Sequence, residues 1–283
     1  MPSYLHTGKI LMITMLSDFG YQDSYVAVMK GVIAAIAPGK PTCDLTHAVP
    51  PQDILAARFN LCMAYPYFPR GTVHLAVVDP GVGSARRAIA LQCPSGFFVA
   101  PDNGLLSGIL AQEPPAAAIS LTNSAYWRTP QPSQTFHGRD IFAPAAAHLA
   151  NGVPITALGD RISPSSLIRL PLPPCQQHPA ANSPHPTYAG SLQYIDGFGN
   201  LISNIPASAI PNSPWELHLT LTDQIHRLRG VKTYSQVPAG TLAALAGSHG
   251  WIEIACNGKS AAEALGKSAT VGMAVSLMPQ EVQ

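Results

Sequence analysis

Thr72-Val73-His74-Leu75-Ala76-Val77-Val78 is a near-continuous apolar run that stops at Asp79-Pro80-Gly81. Runs of this kind, bounded by turn residues, suit a strand buried on both faces. Ile10-Leu11-Met12-Ile13-Thr14-Met15-Leu16 repeats the pattern and stops at Ser17-Asp18-Phe19-Gly20. Between the two lie helical patterns. Asp23 or Ser24 can cap a helix with an apolar stripe of Val26, Met29, Val32, Ile33 and Ile36, stopped by Pro38-Gly39. A second helix is predicted from near Pro51, with Ile54, Leu55, Phe59 and Cys62 on one face, and another over Ile141–Ala150. Buried strands separated by helices predict an α/β domain with a mostly parallel sheet.

Further along, Ser163 to Pro186 holds seven prolines (164, 171, 173, 174, 179, 184 and 186), the mark of a linker. Beyond it the apolar runs are short and separated by turns: Tyr188–Ile195, Leu217–Leu221, Leu242–Leu245, Trp251–Ala255 and Val271–Leu277. They predict a small β-barrel or sandwich. The expected organisation is an α/β domain over 1–165, a proline-rich linker over 166–186 and a β-rich domain over 187–283.

Composition narrows the classes of function. The 283 residues carry 16 basic and 15 acidic side chains, a net charge of +1, and only 11% are charged. A chain this neutral has no field to gather nucleic acid or an anionic membrane. At 47% hydrophobic it does not suit disorder either. The seven-residue run Ile10–Leu16 is too short to span a bilayer and no A-x-A-like cleavage site follows it, so it reads as a strand. Five scattered cysteines (43, 62, 93, 175 and 256) form no C-x-x-C pair, so no metal site or disulfide framework is expected, and a cytoplasmic location is.

Three polar clusters stand out in so uncharged a chain. Asp18 and Asp23 follow the first strand, where open α/β sheets bind ligands. Asp18 can accept from a ribose diol or merely close a turn, and Asp23 can serve a ligand or merely cap the helix. Asp79-Pro80-Gly81-Val82-Gly83-Ser84-Ala85-Arg86-Arg87 places an acid seven residues before an arginine. Its lone G-x-G is not a dinucleotide fingerprint, and an Asp79–Arg86 pair can also be a structural salt bridge. Thr135-Phe136-His137-Gly138-Arg139-Asp140 sets a histidine, the side chain suited to proton handling near neutral pH, at a helix mouth. His47, His74, His148 and His185 read as surface or core residues. In the second half, Asp196-Gly197-Phe198-Gly199-Asn200 is a turn that joins two strands or holds a nucleoside or amino acid, and Ser248-His249-Gly250 and Asn257 bracket a strand.

Taken in order, Ser-Asp-Phe-Gly (17–20), Val-Val-Asp-Pro-Gly-Val-Gly-Ser-Ala-Arg-Arg (77–87), Ala-Pro-Asp-Asn-Gly-Leu-Leu (100–106), Thr-Phe-His-Gly-Arg-Asp-Ile-Phe-Ala-Pro (135–144) and Asp-Gly-Phe-Gly-Asn (196–200) carry a resemblance. The chain resembles the S-adenosyl-L-methionine (SAM) hydroxide adenosyltransferases, or SAM hydrolases, relatives of the SAM-dependent fluorinase and chlorinase. The resemblance runs from about Ile10 to Met278. It implies the reaction SAM + water → adenosine + L-methionine, by attack on the ribose C5′, with no cofactor. Matched by motif, the activating triad is Asp79, Arg86 and His137, with Arg87 the adjacent alternative. Asp79 and His137 would orient and deprotonate water while Arg86 stabilises negative charge.

The resemblance also implies binding roles. Asp18 would hold the ribose hydroxyls, and Asp23 and Asp196 the methionine ammonium. Ser248 would meet the carboxylate, Asn200 and the backbone at Asn257 the adenine, and Phe198 and Tyr234 would be aromatic walls. Family members are trimers whose sites lie between the α/β domain of one subunit and the β domain of its neighbour, so a homotrimer is implied. The halogenases have a Tyr where Asp79 stands and a Ser where Gly138 stands, and the fluorinase has an Arg where His249 stands. They also carry a long insertion where only Pro94-Ser95-Gly96 separates two strands here. A SAM-binding or sensing protein with little turnover is the alternative; an acid beside the reacting carbon disfavours a halogenase.

Overall fold

A computed structural model describes residues 12–180, 185–221, 224–266 and 269–280; Ile10 and Leu11 of the first predicted strand lie outside them. The chain divides into two compact units, Met1–Leu170 and Pro171–Gln283. Unit 1 contains strands β1 (Ile13–Ser17), β2 (Thr42–Thr46), β3 (Thr72–Val77), β4 (Ala88–Gln92), β5 (Gly96–Pro101), β6 (Ala117–Ser120) and β7 (Asp160–Arg161). Its helices are α1 (Tyr25–Ile36), α2 (Ile54–Ala64), α3 (Ser107–Gln112) and α4 (Ala143–Ala150). The sheet order is β2-β1-β3-β5-β4-β6-β7.

The sheet is mixed, which corrects the expectation of a mostly parallel one. β2, β1, β3 and β5 run parallel, whereas β4, β6 and β7 join by antiparallel pairings. The reason is local. Pro94-Ser95 closes a hairpin in which the Cys93 and Gly96 amides and carbonyls exchange hydrogen bonds, and so short a link cannot make the crossover that parallel strands need. β4 and β5 are nonetheless almost wholly buried, so a continuous apolar run does not distinguish the two pairings.

Strand alternation builds two faces. Ile13 and Met15 of β1, with Val73, Leu75 and Val77 of β3, pack against Met29 and Ile33 of α1 and the alanine-rich α4. Thr14 and His74 point the other way, where they share a 2.8 Å hydrogen bond and where Tyr65, just past α2, meets the His74 and Phe98 rings. Burial pushes His74 down to about 4, so it is a neutral core residue. α1 follows the predicted stripe, while α2 starts three residues after Pro51, where the Asp53 carboxylate accepts from the Ala56 amide.

Unit 2 contains β8 (Gln176–His178), β9 (Thr187–Ile195), β10 (Leu201–Pro206), β11 (Trp215–Leu221), β12 (Gln224–Arg229), β13 (Leu242–Ala246), β14 (Trp251–Cys256) and β15 (Ala274–Pro279), with the short helix α5 (Ala261–Ala264). The order β12-β11-β15-β9-β10-β14-β13, with β8 on β9, is antiparallel throughout. A bridge from Gly230, just past β12, to Ala244 of β13 brings the two ends together into a nearly closed barrel. Leu201, Leu217, Leu219, Ile252, Ile254 and Leu277 fill its core. Among the described residues no helix is long and apolar enough to cross a membrane.

Candidate functional site

A cleft of about 370 Å³ opens at the ends of β1 and β3. Asp18, Asp79 and His137 all line it, with Phe19, Tyr25, Gln52 and Phe136. The sequence reading missed Tyr25, Gln52 and Phe136 as lining residues. Phe19, Tyr25 and Phe136 form a three-ring cluster with centroid separations of 5.1–5.7 Å, an apolar wall opposite the polar groups. A larger cavity of about 670 Å³ in unit 2, beside Trp215, Arg229 and Lys232, contains none of the predicted residues. The smaller cleft brings two carboxylates and a histidine to one wall, so it is the candidate site.

The loop after β3 folds back on itself, so that the Arg86 Nε donates to Asp79 Oδ1 at 2.8 Å and Nη2 donates to Oδ2, a fork-on-carboxylate pairing. Both side chains are largely buried, at 9% and 6% exposure. The same Nη2 lies 2.8 Å from His137 Nδ1. Arg87 turns the opposite way, to Asp102 Oδ2 at 2.9 Å and Ser166 Oγ at 3.0 Å. Arg86 is therefore the arginine that joins Asp79 to His137.

Two loops must come close for this contact to exist. Gly83 has φ +77°, and a Cβ there would lie 2.5 Å from the Gln134 carbonyl, so only glycine lets the 79–87 loop pack on the loop that carries His137. That second loop is anchored by Asp140, which is completely buried. Its carboxylate accepts from Arg128 Nε at 2.6 Å, Arg139 Nε at 2.7 Å and the Ser133 amide at 2.9 Å. Burial alone would raise the Asp140 carboxyl, but these donors hold it far below the usual carboxylate range. A π-helical turn, Gly138–Phe142, then leads into α4.

The histidine's protonation follows from its neighbours. Guanidinium offers no acceptor, so His137 Nδ1 must accept from Arg86, and the ring is neutral with its proton on Nε2. Burial and the Arg86 charge lower His137 below an ordinary imidazole, against a smaller opposing pull from Asp79 and Asp140. On the cleft's other side, Asp18 Oδ2 accepts from the Gln52 amide at 2.8 Å. Asp23 lies in the exposed turn before α1 and is not part of the cleft lining.

The unit 2 candidates are arranged differently. Asp196 Oδ1 accepts from the Phe198 and Asn200 amides, each at 2.9 Å, and the Asn200 side chain donates to Asp196 Oδ2 at 3.0 Å. This turn thrusts Phe198 outward at 83% exposure. Asn257 lies at the same end of β14, with its side-chain amide on the Val237 carbonyl at 2.8 Å. Ser248, exposed, sits in the turn at the opposite end of that six-residue strand, roughly 20 Å away along the strand rise. Tyr234 donates to the buried Glu253 at 2.6 Å, and Glu253 also faces His249 Nε2 at 3.0 Å. Hydrogen bonding to Glu253, with partial desolvation, pushes the Tyr234 phenol up to about 12. Among the described residues no group of three or more His, Cys, Asp or Glu side chains is placed to hold a metal ion.

Models of the SAM hydroxide adenosyltransferase N-terminal and C-terminal domains match residues 13–159 and 190–271. An (R)-S-adenosyl-L-methionine hydrolase from Thermus thermophilus is 41% identical over 276 residues, which is 94% of this chain and 99% of that protein. The hydrolase of the same name from Salinispora tropica is 40% identical, over 90% of this chain and 93% of its own. A fluorinase from an Actinoplanes species is more distant, at 29% identity over 69% of this chain and 71% of its own. A solved structure of an uncharacterized conserved protein from Thermotoga maritima superposes with a TM-score of 0.84 at 33% identity, covering 94% of this chain and all of that one. With both halves matched, the chain belongs to the SAM hydroxide adenosyltransferase family.

Proposed function

We infer that this enzyme hydrolyses SAM to adenosine and L-methionine, with a water-derived oxygen attacking ribose C5′. The observation that carries the reading is the contiguous Asp79–Arg86–His137 network at a strand-end cleft. In the reaction the C5′–S bond breaks, its electrons return to sulfur, and methionine leaves as a neutral thioether. The leaving group needs no acid. The demand falls on the nucleophile, which must lie in line behind C5′ and lose a proton.

The hydrogen bonds support one division of that work. With Nδ1 occupied by Arg86, His137 offers an Nε2–H that can hold the water oxygen but cannot take its proton in this tautomer. Asp79 is then the base, with lone pairs beyond the two that Arg86 uses. Arg86 fixes both partners and supplies positive charge beside the developing hydroxide. This divides between two residues a task that the sequence reading gave to both.

Asp18 holds the ribose hydroxyls beside the aromatic wall of Phe19, Tyr25 and Phe136. The exposed Asp23 of unit 1 and Asp196 of unit 2 are the candidates for the ammonium; unit 2 also offers Ser248 to the carboxylate and Asn200 and Asn257 to the adenine, with Phe198 and Tyr234 as apolar surfaces. Asp196 shares the Asn200 and Asn257 end of β14, roughly 20 Å from Ser248. The ammonium and carboxylate hang on one carbon, so with Ser248 on the carboxylate the ammonium falls to Asp23. The assembly is a homotrimer in which a neighbouring copy supplies the unit 2 groups, and sedimentation tests it. The reaction uses no cofactor. Five unpaired cysteines suit the cytoplasm, and a net charge of +1 suits neither nucleic acid nor membrane as partner.

Product chromatography after incubation with SAM tests the activity. Adenosine and methionine in equal amounts, unchanged by added chloride or fluoride, support it. SAM bound without product makes the chain a sensor, and a 5′-halo-adenosine makes it a halogenase.

A further inference from the structure

His47 reads from sequence as a surface or core histidine, and its surroundings make it more than that. It is buried at 1% exposure, and its Nδ1 lies 2.6 Å from the hydroxyl of Ser17, the last residue of β1, itself fully buried. The Ser17 Oγ also accepts from the Phe19 amide at 3.3 Å. A buried hydroxyl needs an acceptor for its own proton, so Ser17 donates to Nδ1 and the imidazole proton sits on Nε2. His47 Nε2 faces Asp44 Oδ1 at 3.3 Å, an ion-pair distance, and neither buried atom completes a hydrogen bond. Asp44 Oδ2 in turn receives Lys30 Nζ at 2.6 Å and the Tyr21 hydroxyl at 3.1 Å, and the Tyr21 ring packs edge-on to the imidazole. Lys30, Asp44 and Tyr21 are thus the titratable groups around His47, and burial keeps the ring neutral.

The same histidine is tied to the cleft through the backbone. Its carbonyl accepts from the Gly20 amide at 2.8 Å. Five residues on, Gln52 adopts φ +66°, a left-handed conformation that a non-glycine side chain resists, and in it directs its amide to Asp18 Oδ2. The Ser17–Gly20 segment is therefore held at its start by the Ser17 hydroxyl, at its end by the His47 carbonyl, and at Asp18 by Gln52.

We propose that His47 is a positioning residue for Asp18: the buried His47–Ser17 hydrogen bond, with Asp44 facing the far side of the ring, sets the β1 exit so that the Asp18 carboxylate meets the substrate's ribose. The proposal rests on the reading of Asp18 as the ribose-holding group. The test is adenosine affinity by calorimetry and the KM and kcat for SAM, across Asp18→Ala, His47→Phe, Ser17→Ala and the double variants. His47→Phe and Ser17→Ala each weaken adenosine binding about tenfold and raise KM, with kcat changed less than about threefold. Each double variant with Asp18→Ala binds within about twofold of Asp18→Ala alone, the non-additivity of groups acting through one contact. His47→Asn, which keeps an acceptor for the Ser17 hydroxyl, retains affinity within about threefold. If His47→Phe does not fold, Ser17→Ala carries the cycle alone. Defects that multiply with Asp18→Ala, wild-type affinity in Ser17→Ala, or a His47→Asn variant as weak as His47→Phe overturn the proposal while the Asp18 reading stands. Unchanged binding in Asp18→Ala overturns both, and the missing defect at Asp18 itself tells that failure from the others.

Discussion

The two units hold their polar groups in opposite ways. In unit 1, Asp79, Arg86 and His137 satisfy one another inside a cleft, and Asp140 nails down the loop behind them. In unit 2, Asp196 and Asn200 close a turn, Asn257 ties to a backbone carbonyl, and Phe198 stands in solvent. Groups that act on a reacting atom need fixed geometry before the substrate arrives. Groups that contribute affinity tolerate placement on turns, where a scaffold holds the loop and the loop does the binding.

Substitutions can break this contrast. The largest effect is expected at Asp79→Ala, which removes the proposed base and leaves Arg86 buried without its counter-ion. Turnover falls by at least about a thousandfold and stability by on the order of 3 kcal/mol, read by single-turnover kinetics and denaturant melts, with adenosine binding retained. His137→Ala, which leaves the ion pair intact, lowers kcat about a hundredfold with a much smaller loss of stability. If Asp79→Ala turned over normally, the unit 1 network would be a structural salt bridge. Gly138→Ser comes next. Its Cβ would sit 3.0 Å from the Phe136 ring and 3.2 Å from Met29 Sδ, crowding the apolar wall, so kcat/KM falls about tenfold with no halide product gained.

Smaller effects sharpen the comparison. The acid limb of kcat/KM should lie below pH 6.5, the ordinary value for histidine. Burial and Arg86 lower His137, so its neutral, Arg86-accepting form persists as the pH falls, and activity is lost only when that lowered value is crossed. A pH–rate profile with its acid limb at or above 6.5 would place the neutral histidine outside the mechanism. The smallest effect on the fold is at Phe198→Ala, where an 83% exposed ring costs less than about 0.5 kcal/mol. Its KM should rise severalfold at unchanged kcat, the signature of a residue that binds without reacting.

Much of this was legible in the residues. Buried strands ending on Asp18 and Asp79 gave the α/β unit and one side of its cleft, and the α1 stripe appears as written. The pairing direction was not legible from burial, because β4 and β5 are as apolar as their parallel neighbours; only the brevity of Pro94-Ser95 betrays the hairpin. β12 was missed because Gln224-Ile225-His226-Arg227-Leu228-Arg229 buries only Leu228. Spacing could not separate Arg86 from Arg87, since neighbouring side chains differ only in the face they take. Gln52 enters the site through a backbone angle, and no residue-type signal announces that.

That choice between adjacent arginines has a consequence for loop length. The segment from Asp79 to Arg87 carries the chain across the end of β5 to the start of β4, and Arg87 shares backbone and side-chain bonds with Asp102 there. The segment acts as a gauge: its length bears on which of two consecutive guanidiniums meets Asp79 and His137. Because Arg87 is tied to Asp102 by backbone and side chain, adding or removing one residue between Gly81 and Ser84 is expected to leave that pair in place and to disturb the fold-back that brings Arg86 to Asp79. Residue number in this stretch is therefore expected to matter alongside residue type, which is already fixed at Gly83 by the close approach of the Gln134 carbonyl.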